Sequence, residues 1–285
     1  MRIAFTSDIH IDLNGPSALD ALASHLASLS ADVVLISGDV ATGATTWLKT
    51  LLALRPTAPE LLMVAGNHDV WSSLDAQAKG VHAWTWLDKL LPALCTEAGA
   101  KLLDVGPVTL GNVGFAGSLG WYDLTMREHL LDAPMEAYRS GEWSGMRWND
   151  HRFAWFPDDK GVALLPEDVC ARLRERLAGH MASLTTSRLV VATHTLQFAE
   201  QVFQKSHPGW RFANAFMGSL KLGELVRSDP RVVLSIAGHT HLPSDLRFGR
   251  LRAVVSPLGY QKEWKAPNVK EAVAKAVTVV DLPGS

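Results

Sequence analysis

Residues 2–10 read Arg2-Ile3-Ala4-Phe5-Thr6-Ser7-Asp8-Ile9-His10, a short apolar run that stops at an aspartate and a histidine. A run of this length without polar alternation marks a strand buried on both faces. The same construction recurs downstream. Residues 33–37 lead into Gly38-Asp39, and residues 61–65 into Gly66-Asn67-His68-Asp69. Residues 189–192 lead into Thr193-His194-Thr195, and residues 232–236 into Gly238-His239-Thr240-His241. Further runs at residues 113–116 and 251–255 complete a set of mostly β-branched or aliphatic strands bounded by Gly, Pro or Asp.

Helical patterns separate several of these runs. Pro16 opens a stretch with Leu19, Leu22, Leu26 and Leu29 on one stripe; Pro166 opens another with Val169, Leu173, Leu177 and Met181. Strand–helix alternation predicts an α/β architecture with parallel pairing. No clear helix pattern lies between residues 251–255 and 276–282, which predicts that these terminal strands run antiparallel beside the main sheet. Ligands in open α/β sheets bind outside the carboxyl ends of the strands, so the five polar groups are expected on one rim of one sheet.

The residue types at that rim suit divalent metals. Carboxylate oxygens, an amide oxygen and neutral imidazoles are ligands for manganese, iron, cobalt, nickel or zinc. The candidates Asp8, His10, Asp39, Asn67, His194, His239 and His241 are too many for one ion. They suit two ions about 3.5–4 Å apart that share a bridging carboxylate and clamp the attacking and leaving oxygens of an in-line displacement.

The set Asp8-x-His10, Gly38-Asp39, Gly66-Asn67-His68-Asp69, His194 and Gly238-His239-Thr240-His241, in this order, resembles the calcineurin-like metallophosphoesterase superfamily. The resemblance implies a four-layer αββα sandwich of two mixed β-sheets flanked by helices. It implies Asp8, His10 and His241 on one metal, Asn67, His194 and His239 on the other, and Asp39 bridging. It implies His68 as the catalytic group that reaches the phosphate and protonates the leaving oxygen, with Asp69 orienting its imidazole. The implied cofactors are two divalent ions, manganese first, with iron, nickel, cobalt or zinc as alternatives. The implied reaction is attack on phosphorus by a hydroxide shared between them.

Departures from familiar subfamilies narrow this. Asp39 is followed by Val40-Ala41-Thr42-Gly43, not by the Arg-Gly of the related protein phosphatases, and His68 stands where lipid-pathway pyrophosphatases usually carry Arg. A small phosphodiester or phosphomonoester, such as a nucleotide, is the expected substrate. A nuclease of the same superfamily and a non-catalytic interaction scaffold are the alternatives. The first lacks a basic surface signal and the second should have lost ligands. An amidohydrolase barrel would need His-x-His after the first strand, where Asp8-Ile9-His10 stands.

Composition bounds the rest. The chain has 285 residues, 47% hydrophobic and 20% charged, enough for a large core. A net charge of -2 gives no footprint for non-specific nucleic-acid binding. No apolar run approaches the length of a membrane span. Cys95 and Cys170 are isolated, which excludes a disulfide framework and a cysteine zinc site. With no secretory leader pattern at the start, a cytoplasmic location is expected. The whole chain, 1–285, reads as one domain with an aromatic-rich insertion at about 119–165. There Trp121, Trp143, Trp148 and Trp155 are expected mostly to staple the segment to the core, with one or two touching substrate. Arg147, Arg152 and Arg211 are candidate anion contacts. His25, His82, His129, His151 and His180 read as packing or surface histidines, and for His207 a surface role outweighs an approach to the site.

Overall fold

Side chains along each central strand alternate between two destinations, and that alternation builds the layers. The computed structural model describes residues 1–202 and 204–283. Its strands are β1 (Arg2–Thr6), β2 (Val33–Ser37), β3 (Glu60–Val64), β4 (Lys101–Leu102), β5 (Val108–Leu110), β6 (Val113–Ser118), β7 (Glu142–Trp143), β8 (Met146–Arg147), β9 (Arg188–Thr193), β10 (Val232–Ala237), β11 (Ser244–Phe248), β12 (Leu251–Val255) and β13 (Thr278–Asp281). One sheet runs β13-β1-β2-β3-β4 and the other β11-β12-β10-β9-β6-β5, with β7 and β8 forming a separate hairpin.

Ile3 and Phe5, Val33 and Leu35, Leu62 and Val64 from the first sheet meet Val113 and Phe115, Val190 and Ala192, Leu234 and Ile236 from the second in one inter-sheet core. The intervening residues, among them Ala4, Val34, Ile36, Met63, Leu189 and Val191, face helices on the outside. Period-two geometry thus sends alternate residues of one apolar run into two cores. The Pro16–Ser28 helix packs with the Val269–Ala276 helix, and the Ala44–Leu54 helix with the Leu91–Ala98 helix. The Pro166–Ser183 helix packs on β6 and the Leu220–Ser228 helix on β10. The expected stripe on the Pro166–Ser183 helix is buried at Val169, Leu173, Leu177 and Met181. The result is an αββα sandwich with two mixed sheets, as the resemblance implied.

Two expectations need correction. The five polar strand ends do not share one sheet: β1, β2 and β3 belong to the first and β9 and β10 to the second. The two sheets present their carboxyl ends at the same place because they are stitched there. Ser7 N donates to Ser256 O at 3.1 Å, Leu258 N to Ser7 O at 2.9 Å, and Ser37 Oγ to Thr193 O at 2.6 Å. The terminal strands meet the expectation only in part, β13 being antiparallel as expected while β12 is parallel and lies in the other sheet. β12 pairs with β10, β13 pairs with β1, and a helix capped by the Asn268 side chain, Val269–Ala276, lies between them. That helix buries only Ala272, Val273 and Ala276, small residues that leave a faint apolar pattern.

Segment 119–165 carries the Met135–Ser140 and Asp150–Phe153 helices and the β7–β8 hairpin. Trp143 stacks on Phe212 and Trp148 on Phe216, both stapling contacts to residues outside the segment, while Trp121 stacks on Tyr122 within it.

Candidate metal centre

Five of the seven candidate ligands leave their strands through a bend that ordinary residues avoid. Asp8, His10, Asp39, His239 and His241 have φ of 52°, 39°, 54°, 73° and 53°. Left-handed backbone costs a non-glycine residue roughly 1–2 kcal/mol each, so five such positions in one place mark strain concentrated at a site. Neighbouring glycines make room. A Cβ on Gly66 would overlap Asp39 N and Oδ1, and Gly38, at φ 85°, lies against the His194 ring.

The bends deliver two groups of donor atoms. In the first, one ligand atom each from Asp8, His10, Asp39 and His241 lie within 4.8 Å of one another. His10 Nε2 is 3.1 Å from His241 Nε2 and 3.5 Å from Asp39 Oδ2, and His241 Nε2 is 3.5 Å from Asp8 Oδ1. In the second, Asn67 Oδ1 is 2.9 Å from His194 Nε2 and 3.0 Å from His239 Nδ1. Those two nitrogens are 3.3 Å apart, and His194 Nε2 is 3.4 Å from Asp39 Oδ1. Asp39 therefore turns one oxygen to each group.

The donor chemistry fits a divalent cation in each. Atoms about 2.1 Å from an ion sit roughly 3.0–3.4 Å from one another around it, which matches these separations. The outward nitrogens are held as ligand imidazoles usually are. His194 Nδ1 meets Ser37 O at 2.9 Å, His239 Nε2 meets Phe216 O at 3.1 Å, and His241 Nδ1 meets Glu263 Oε2 at 2.8 Å. His10 Nδ1 is buried without a partner. Asp8 is braced from both sides: Ser7 Oγ donates to its Oδ2 at 2.5 Å and His239 N to its Oδ1 at 2.9 Å.

Charge states follow from burial and proximity. Burial alone would raise Asp8, but the His241 hydrogen bond overrides it and holds the carboxyl near about 2. Burial opposes Asp39 likewise, and His194 and His68 keep it well below the usual carboxylate range. Burial would lower His194 and His241, yet Asp39 lifts the first to about 9, and Asp8 with Glu263 lifts the second to about 10. Desolvation pushes His10 down to about 4, and desolvation with His194 pushes His239 to about 4. Protons on His194 and His241 thus offset the two carboxylates where cations would otherwise do so.

The other two expected site residues part company. His68 lies at the rim, its Nε2 4.0 Å from Asp39 Oδ2, its ring stacked on Trp71 at 3.8 Å and edge-on to His10 at 4.9 Å. Asp69 does not hold that ring. Its Oδ1 accepts from Val40 N (2.8 Å) and Ala41 N (3.1 Å), and its Oδ2 accepts from Gly66 N (2.7 Å). Three backbone amides claim the carboxylate, so Asp69 ties the loop after β2 to the loop after β3, and Trp71 steadies His68.

Several residues here escaped sequence reading. Glu263 backs His241, Tyr260 packs against His10 and His241 with ring centroids 4.6 and 4.5 Å away, and Asp150 bonds Asn67. None follows a strand or belongs to a periodic pattern, so no local signal exposed them. The arginines considered as anion contacts are engaged elsewhere: Arg147 with Glu142, Arg211 with Glu128, and Arg152 over Phe153. His207 caps the Pro208–Ala213 helix. Trp148 reaches the site, edge-on to His239 at 5.9 Å.

The fold and this cluster define a metallophosphoesterase-type hydrolase. The chain belongs to the calcineurin-like phosphoesterase family, which it matches over residues 1–243. Among solved structures it is similar to phosphopantetheinyl hydrolase from Mycobacterium tuberculosis, at 18% identity over 99% of this chain and 98% of that one, TM-score 0.71. It is also similar to TT1561 of Thermus thermophilus, at 13% identity over 98% of each chain, TM-score 0.53. No curated protein matches the sequence. Among the described residues no helix is long and apolar enough to cross a membrane.

Proposed function

We propose that this chain is a two-metal hydrolase of small phosphate esters. The observation that carries it is Asp39, whose Oδ2 faces His10 and whose Oδ1 faces His194, one oxygen to each donor group. Asp8, His10 and His241 would hold one cation with Asp39, and Asn67, His194 and His239 the other. Two bound divalent ions supply Lewis-acid stabilisation of the phosphoryl oxygens and a water acidic enough to lose its proton near neutral pH. His10 and His239, kept neutral by burial, have lone pairs free at that pH. His68, at the rim and outside both groups, is placed to give a proton to the departing oxygen. The stack on Trp71 limits the angles its ring can sample.

Selectivity for a small ester rather than nucleic acid is supported by the side chains around the rim. Aromatic Trp71, Trp148 and Tyr260 surround the histidines, while Arg147 pairs with Glu142 and Arg152 lies over the Phe153 ring. The test is hydrolysis of p-nitrophenyl phosphate and its bis ester by protein loaded in turn with manganese, iron, nickel, cobalt and zinc. Nucleotide monophosphates, cyclic nucleotides and phosphopantetheinyl esters follow as natural candidates. Metal-dependent cleavage is expected; loaded protein that cleaves none of them contradicts the proposal.

A further inference from the structure

Asp150 lies in segment 119–165, is 1% exposed, and meets the metal centre from outside it. Its Oδ1 accepts from Trp71 Nε1 at 2.7 Å and Asn67 Nδ2 at 2.9 Å. Its Oδ2 accepts from Trp148 Nε1 at 2.9 Å. An indole N–H can only donate, so both carboxylate oxygens are committed as acceptors whatever Asn67 does. Asn67 must then offer its NH2 group, because its oxygen turned the same way would set acceptor against acceptor at two buried residues. The far end of the amide follows: Oδ1 is left facing His194 Nε2 and His239 Nδ1.

We propose that Asp150 is a positioning residue that locks the Asn67 amide with its oxygen toward the second donor group. The proposal rests on the two-metal reading above and adds a residue from outside the ligand set. An amide that flips presents two N–H donors to a cation, so the lock decides whether Asn67 is a ligand or a repulsive neighbour. Selectivity between the sites follows from the geometry. Asn67 belongs to one group only, and the Asp8, His10 and His241 group has its own outer carboxylate in Glu263.

Stepwise titration of metal-free protein with cobalt(II), followed by calorimetry and by the visible d–d bands, resolves the two equivalents. In Asp150→Asn one oxygen serves three donors and the orientation of Asn67 is no longer forced. One equivalent is expected to weaken about 10–100-fold while the other keeps its wild-type affinity. Equal weakening of both, as for a carboxylate that merely supports the fold, overturns the proposal, and so does no change in either. Should the variant fail to fold, a cobalt-loaded crystal structure of the wild type decides. The Asn67 oxygen on cobalt with its NH2 group on Asp150 supports the lock, and any other partner for that NH2 group overturns it. Wild-type protein that takes up no cobalt fails differently, removing the two-metal reading and the lock with it.

Discussion

His68 Nε2 sits 4.0 Å from Asp39 Oδ2, and the two side chains divide the site's work. The His68 ring is held by Trp71, while only its backbone N–H reaches the bridging carboxylate, donating to Asp39 Oδ1 at 2.9 Å. His68→Ala should therefore leave metal content nearly unchanged and cut turnover about 10²–10⁴-fold for alkyl esters, whose poor leaving oxygens need a proton. p-Nitrophenyl esters should lose less. Steady-state kinetics with both ester types beside metal analysis checks this, and loss of metal would reassign His68 as a ligand. Protons give a second test. In metal-free protein His194 and His241 are raised to about 9 and 10, above the ordinary 6.5. Their contribution to metal-free stability is full below pH 6.5 and is lost as pH climbs through those raised values. Metal loading runs the other way, since it must displace these protons. Apparent affinity should rise with pH toward 9, and at neutral pH loading should release about two protons per chain. Calorimetry in buffers of different ionisation heats measures the number; no dependence on buffer would contradict it.

At the scale of the strand and its turn, the site is made where an apolar run ends in a glycine-relieved bend. Gly66→Ala places a methyl group against Asp39 N and Oδ1, backbone and bridging carboxylate together. The variant should lose about 1–3 kcal/mol of stability and weaken both metals at once; denaturant melts and metal titration read the two effects. Strand ends were the legible part of the sequence. Asp8, His10, Asp39, Asn67, His194, His239 and His241 each follow a buried run, and position after a strand is a local property. Asp150 and Glu263 became visible only in three dimensions, because they act across 83 and 22 residues of chain on Asn67 and His241. Asp69 misled for the same reason. The resemblance implied that it orients His68, while its carboxylate was taken by amides 28 and 29 residues away. The Val269–Ala276 helix hid behind alanines, and β11 behind Ser244-Asp245, an edge strand with no apolar run.

In the whole molecule each donor group draws on both sheets. Asp8, His10 and Asp39 come from the first and His241 from the second; Asn67 and Asp39 from the first and His194 and His239 from the second. Bound ions would therefore tie the sheets together at the end where Ser7 already bonds Ser256 and Leu258. Loading at a hundred times Kd should add about 2.7 kcal/mol per site. Melting temperature with and without manganese checks it, and an unmoved transition would contradict a site shared between sheets. Charge changes as well: four positive charges added to the chain's -2 leave +2, concentrated at the rim where an ester phosphate would sit. The most direct test is a manganese titration of wild type and Asp39→Asn, each followed by bound metal per chain and by cleavage of bis(p-nitrophenyl) phosphate. Two ions are predicted for the wild type, with cleavage developing as both sites fill, and both equivalents weakened together in the variant. Fewer than one ion per chain with no cleavage in the wild type, or two full sites in Asp39→Asn, would contradict a bridged pair.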